Sequence, residues 1–213
     1  MEKLMPGMRA FISHKIDEGF DPPDRIIDQA VALFANNEAY CPSYWDFRGG
    51  DDSIHAETTV RPPIERIAAE LLDERRRLES AWTEPTDCDR LDQAFAALER
   101  DGIVAGQNLL CCMTCARAEI GVRIGQKINS GHVVRGCVYY HEQDTARVPY
   151  GHLLLAFAST VNDNEHTVRI GRSIVDALSN AGLKSEWKDD PNTRIVLHLD
   201  WRKRRFSSAP PCN

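Results

Sequence analysis

The stretch Asn108-Leu-Leu-Cys-Cys-Met-Thr-Cys115 decides how this chain is read. It closes the run Ile103 to Leu110, which reads as a strand. It opens the run Cys112 to Ile128, in which Ala116, Ile120, Ile124 and Ile128 recur every fourth residue, as along one face of a helix. Three of the seven cysteines fall within these few positions. A strand that passes into a helix through a cysteine-rich turn is both a topological marker and a candidate site.

Downstream the pattern alternates. Gly131 turns the chain into an extended run, Val133 to His141, and Gly151 to Ser159 reads as a third, strongly apolar strand. Asn162-Asp-Asn164 starts a helix with Gly171, Ile174, Val175 and Leu178 on one face, stopped by Gly182. Leu183 to Trp187 and Arg194 to Trp201 predict a hairpin around Asp189-Asp-Pro-Asn192, its last strand alternating Ile195, Leu197, Leu199 and Trp201 with polar residues. The expected fold class is therefore α+β, with a C-terminal ferredoxin-like β-α-β-β-α-β(β) sandwich carrying two helices on one face of an antiparallel sheet.

Upstream the chain reads as helix after helix. Leu4, Met8, Phe11 and Ile12 give a first stripe, interrupted by Pro6-Gly7. Asp21-Pro-Pro-Asp24 starts a second, with Ile26, Ile27, Ala30, Val31 and Phe34 at helical spacing and Asn36-Asn37 at its end. Residues 38 to 63 read as irregular, with an aromatic group (Tyr40, Tyr44, Trp45, Phe47) that either covers a core edge or forms a ligand lid. Pro62-Pro63 opens a third helix with Ile64, Ile67, Ala68, Leu71, Leu72 and Leu78 on its stripe, and Asp73-Glu-Arg-Arg-Arg77 forms its solvated face. Thr86-Asp87 caps a fourth, which turns Cys88, Leu91, Ala94, Phe95 and Leu98 to the core and ends at Asp101-Gly102. The expected division is a helical region over 1–85, the α+β domain over 86–205 and a disordered tail over 206–213.

The net charge of −6 over 213 residues opposes a nucleic-acid surface, because phosphate neutralisation needs clustered Lys and Arg, and only Arg202-Lys-Arg-Arg205 is strongly basic. No apolar run is long enough for a membrane span, and the first twenty residues lack a secretory pattern, which predicts a cytoplasmic protein. Cysteines at 41, 88, 111, 112, 115, 137 and 212 are odd in number and unevenly spaced. That favours a thiol or metal site over a disulfide scaffold.

Parallel strands bring their carboxyl ends to one sheet edge, so the Cys111 turn and the segment Tyr140-His-Glu-Gln-Asp-Thr145 are expected to meet there. Cys112 and Cys115, at i and i+3 in the first turn of a helix, share a face where unpaired N–H groups favour thiolates. As a metal site, Cys111, Cys112, Cys115 and His141 would hold Zn²⁺ tetrahedrally, with Cys137 a weaker candidate. As a redox site, Cys112-Met-Thr-Cys115 would cycle between dithiol and disulfide. The strand-then-helix placement is the one thioredoxin-like proteins use, and Pro149 stands where their facing proline would, but no helix is expected between the second and third strands. The plain alternative is small residues buried at a crowded helix start. His141 reads as a general base or ligand oriented by Asp144, or else as part of a turn in which Asp144 and Thr145 bond the local backbone. His152 and His198 read as sheet-surface residues. The Walker, dinucleotide, nucleophile-elbow and His-Glu-x-x-His motifs are all absent.

The run Leu91 to Val104, the Cys111-Cys-Met-Thr-Cys115 turn with Ala118-Glu-Ile120, Tyr140-His-Glu-Gln-Asp-Thr145, Gly182-Leu with Trp187, and Arg194-Ile-Val with Asp200-Trp-Arg202 resemble a bacterial family of uncharacterised proteins, a domain of unknown function. The resemblance covers about residues 86 to 205. It implies that the cysteines and His141 belong to one shared feature, and it implies no activity. Glu142 and Ala146 depart from the Gln and Glu that the family pattern leads one to expect. At the level of topology the chain is also similar to acidic ferredoxin-like regulators that inhibit a ribonuclease by binding it. Three functional classes follow: a zinc-binding structural or regulatory protein; a thiol enzyme in which Cys112 attacks, Cys115 resolves and His141 moves the proton; and an acidic module that binds a protein partner without catalysis.

Overall fold

The computed structural model of the chain describes residues 4–35, 57–148 and 151–206. The expected end of the second helix at Asn36-Asn37, the aromatic group at 40–47, Cys41, Pro149 and Cys212 lie outside them. The chain divides into two compact units, one made by residues up to 83 together with those from 205 onward, the other by 84–204.

The first unit holds three helices, α1 (Met5–Glu18), α2 (Pro23–Ala35) and α3 (Glu57–Ser80). Their apolar stripes meet in one core of Met8, Ile12 and Ile16 from α1, Ile26, Ala30 and Val31 from α2, and Val60, Ile64, Ile67, Ala68 and Leu72 from α3. The prolines act differently from expectation. Pro6 sits in the first turn of α1 and begins that helix instead of interrupting it, because an N–H there has no partner to lose. Pro62 and Pro63 lie inside α3, which begins at Glu57. The two carbonyls left without donors belong to Thr58 and Thr59, which are exposed to water. Phe206, where the tail was expected to begin, packs half-buried against this core and its N–H donates to Glu79; 207–213 lie outside the described residues.

The second unit is mixed α+β. Its elements are α4 (Asp87–Arg100), β1 (Ile103–Gly106), α5 (Met113–Asn129), β2 (Gly136–Tyr139), α6 (Glu142–Thr145), β3 (Leu153–Ser159), α7 (Asn164–Asn180), β4 (Lys184–Glu186) and β5 (Ile195–His198). Local chemistry sets several boundaries. The Thr86 hydroxyl accepts from the Asp89 N–H at 3.2 Å while the Asp89 carboxylate accepts from the Thr86 N–H at 2.9 Å, a reciprocal cap that starts α4. Gly102 ends it with φ of +76°, at a point where a Cβ would lie 2.7 Å from the Val133 carbonyl oxygen.

The five strands form one mixed sheet in the order β1-β2-β3-β5-β4. β1 and β2 are parallel neighbours, pairing Ile103 with Gly136 and Gly106 with Tyr139; the remaining pairs are antiparallel. This corrects the ferredoxin-like expectation. That sandwich splits its βαβ unit by placing another strand between the two parallel ones, whereas here they bond directly. Helices also cover both faces instead of one. Alternation along β2 sends Cys137 and Tyr139 toward α5, where they join Val104, Leu109, Ala116, Ile120 and Ala156. On the opposite face Tyr140, just past β2, meets Phe95 of α4 and Trp201 edge-on, and Gly136 lies against Ile170 of α7. α7 approaches Trp187 so closely at Gly171 that no side chain fits there. Ile195 and Leu197 are fully buried at alternating positions of β5, as its pattern predicts.

Candidate metal and thiol site

Because β1 and β2 run parallel, their carboxyl ends share an edge, and the two cysteine- and histidine-bearing segments leave the sheet side by side. They are hydrogen-bonded to each other. The Leu109 N–H donates to the Tyr140 carbonyl at 2.9 Å, the Glu142 N–H to the Leu110 carbonyl at 3.0 Å, and the Thr145 hydroxyl to the Asn108 side-chain oxygen at 2.7 Å. The Tyr140 hydroxyl adds a bond to Gln107 at 2.8 Å. Asn108 and Leu110 take left-handed backbone, with φ of 49° and 50°. Asn tolerates that conformation; for Leu110 it costs on the order of 1–2 kcal/mol, which the surrounding bonds offset. The result is a tight reversal that points the next residues, Cys111 and Cys112, back toward the start of α5.

The three sulfurs gather there. Cys111, Cys112 and Cys115 have their Sγ atoms all within 4.8 Å of one another, and Cys111 Sγ lies 3.7 Å from Cys115 Sγ. Cys111 is exposed and the other two half-exposed, and all three are free thiols. Cys112 is the N-cap residue of α5, in extended backbone (φ −157°, ψ 171°). Its sulfur makes no capping hydrogen bond, yet the nearby backbone N–H of Cys115 and then the Cys115 thiol hold its pKa below the usual 9.0. Cys115, beside both other sulfurs, is pushed up to about 11 by its side-chain hydrogen bonding with them and by the repulsion its thiolate would meet. Three thiols this close, one of them shifted toward its thiolate, suit binding of a soft cation or attack by sulfur.

His141 is placed differently. It is 5% exposed, and its Nε2 lies 3.1 Å from Asp144 Oδ2, while Arg194 donates to Asp144 Oδ1 at 2.9 Å. Its Nδ1 is buried with no hydrogen-bond partner. Burial first, and then Arg194 and Arg147, lower its pKa below 6.5 against the opposing pull of Asp144. The segment 142–145 forms one helical turn, α6, where no helix was expected between β2 and β3. Among the described residues, the group with ligand atoms in common reach is the three cysteines, without His141.

The remaining candidates are dispersed. Cys137 belongs to the core under α5, 3% exposed, and burial pushes its thiol up to about 11. Cys88 is a core residue 1% exposed, raised to about 12 for the same reason, with its thiol toward the Trp201 carbonyl at 3.9 Å. His198 sits on the sheet surface 3.0 Å from Glu186, and His152 is exposed. Sequence reasoning did not assign Arg194 to this region or Asn108 to the latch. The second carried a local signal, since Asn is a common occupant of left-handed backbone; the first carried none, because its partner lies fifty positions away.

A family model described as "Domain of unknown function (DUF6891)" matches residues 1–205. The chain belongs to that family. The match extends through the three N-terminal helices, beyond the 86–205 over which the resemblance was read, and so takes in all of the second unit and most of the first. No curated protein and no solved structure matches the chain. No helix of the described residues is long and apolar enough to cross a membrane.

Proposed function

We propose that Cys111, Cys112 and Cys115 bind a thiophilic metal ion, Zn²⁺ before others, and that the site is regulatory. The observation that carries this reading is the convergence of three sulfurs within 4.8 Å. A tetrahedral zinc with Zn–S bonds of about 2.3 Å has sulfur–sulfur edges of about 3.8 Å, and the Cys111–Cys115 separation is 3.7 Å. A closed structural zinc site uses four protein ligands. Three, on an exposed turn already fixed by protein hydrogen bonds, leave a position facing solvent, which suits exchange more than scaffolding. His141 supplies no ligand in this reading. The test is metal analysis of protein purified under reducing conditions without added metal, beside a Cys112→Ser/Cys115→Ser variant. About one zinc per chain, lost in the variant, supports the site; metal-free wild-type protein that also takes up none on titration overturns it.

The lowered pKa of Cys112 favours one second reading, thiol–disulfide chemistry with Cys112 attacking and Cys115 resolving. Its test is disulfide reduction of a model substrate, abolished in Cys112→Ser.

A further inference from the structure

The sequence directs attention to the Cys-x-x-Cys pair, Cys112 and Cys115. The structure directs it to a different one. Cys111 is the exposed member of the cluster and has its sulfur 3.7 Å from Cys115 Sγ, on a turn whose preceding residue, Leu110, is held in left-handed backbone. A disulfide is about 2.05 Å long, so these two sulfurs need approach by less than 2 Å. Cys111 precedes α5 and its side chain is exposed, so rotation of that side chain can bring the sulfurs together with the turn held in place, while Cys115 lies in the first turn of the helix.

We infer that the site is a target of hydroperoxides, which close a disulfide between Cys111 and Cys115 and thereby release the metal. The inference rests on the metal reading above. Cys111 thiolate attacks the O–O bond of hydrogen peroxide; its sulfur becomes a sulfenic acid and hydroxide leaves. Cys115 thiolate then attacks the Cys111 sulfur, the S–S bond forms, the S–O bond breaks and a second hydroxide leaves. Two protons from the buffer, matching those the two thiols gave up on becoming thiolates, convert both hydroxides to water. The two sulfurs together lose two electrons, and the peroxide gains them. Cys112 is then the one ligand left, too few to retain zinc, so oxidation and metal occupancy become mutually exclusive. The exposure of Cys111 sets where the peroxide enters, and the burial of Cys88 and Cys137 keeps them out of the exchange.

The experiment uses the full chain loaded with zinc under reducing conditions, desalted and treated with stoichiometric hydrogen peroxide. Free zinc is followed with a chromogenic chelator, and the cross-link is located by peptide mass spectrometry. The expected result is about one zinc released per chain, in step with the loss of two thiols and a Cys111–Cys115 cross-link. Cys115→Ser should stop at a sulfenic acid on Cys111, trapped by a dimedone probe, and Cys112→Ser should still form the cross-link. Zinc that stays bound while peroxide is consumed overturns the inference but leaves the metal reading standing, as does a cross-link joining Cys112 to Cys115. Protein that never takes up zinc overturns the metal reading and the release with it; peroxide treatment of that same metal-free protein then shows by mapping whether Cys111 and Cys115 close.

Discussion

Two segments leave the same edge of the sheet and are latched to each other, yet they behave as opposites. The turn 107–112 leads into three thiols drawn together within 4.8 Å, Cys111 exposed and Cys112 and Cys115 half-exposed. The segment 140–145 turns inward: Tyr140 is fully buried, and His141, Asp144 and Thr145 are 5%, 2% and 3% exposed. The difference separates two meanings of a polar cluster. Buried polar groups bonded to one another hold the framework, and exposed thiols drawn together are available for chemistry. Substitutions in the inner segment should therefore cost stability, and substitutions in the outer one should cost metal binding alone.

The largest effect is expected at Tyr140. Its ring packs edge-on against Phe95 and Trp201 at centroid distances of 6.2 Å, and its hydroxyl fixes Gln107 at the base of the cysteine turn. Tyr140→Ala should destabilise the unit by about 3–5 kcal/mol, read from chemical denaturation. A loss under about 1 kcal/mol would mean that the inner segment is not the framework supposed here.

Next comes Asp144, whose carboxylate accepts from the His141 N–H at 3.3 Å and from Arg194 at 2.9 Å, with His141 Nε2 at 3.1 Å. Asp144→Ala leaves those donors without their partner inside the protein, a loss of about 1–3 kcal/mol. Zinc affinity of whatever remains folded should change little, since no sulfur depends on this carboxylate. A variant of full stability that fails to bind zinc would reverse the assignment of roles.

His141 gives a smaller effect with a definite sign. Its folded pKa is depressed below 6.5, so as pH falls through 6.5 the unfolded chain takes up a proton that the folded chain still refuses. The stability it contributes is fully present above pH 6.5 and is lost progressively toward its lower folded value. Unfolding measured at pH 7.5 and 5.5 should show a greater loss in wild-type protein than in His141→Gln. Equal losses would show that the imidazole is not held neutral by burial.

The contrast between the two segments was only half legible beforehand. Elements with strong periods could be read: the fourfold recurrence of Ala116 and Ile120 placed α5, and alternation of Ile195 and Leu197 placed β5. The meeting of the two segments followed from parallel strands sharing an edge. Strand order did not, because apolar alternation fixes which side chains face inward and says nothing about which strand is the neighbour. His141 read as a ligand, a general base or part of a turn, and the spacing carried no sign that Arg194, fifty positions away, bonds its neighbour Asp144. The 3.7 Å approach of the Cys111 and Cys115 sulfurs follows a turn with left-handed backbone at Leu110, a residue whose type gives no hint of it.

Cys112 offers the smallest energetic effect and the sharpest test of the contrast, because stability and binding should move in opposite directions. It occupies the N-cap of α5 with extended backbone but makes no capping hydrogen bond. Serine is among the preferred N-cap residues, its hydroxyl accepting from the N–H of the second or third helical position. In metal-free protein Cys112→Ser should therefore be as stable as wild type or more so, by up to about 0.5 kcal/mol. The same variant, reduced to two sulfurs, should bind zinc far more weakly, visible as a loss of stoichiometric zinc after gel filtration. Cys112→Ala separates the two terms: it also removes the ligand but restores no cap, so it should lose zinc without the gain in stability. If both variants lose zinc and neither loses stability, the outer turn is a binding device carried by a framework that does not need it. If Cys112→Ser instead destabilises the metal-free chain by more than about 1 kcal/mol, the cysteine is packed into the helix start, and the line drawn here between framework and chemistry runs in the wrong place.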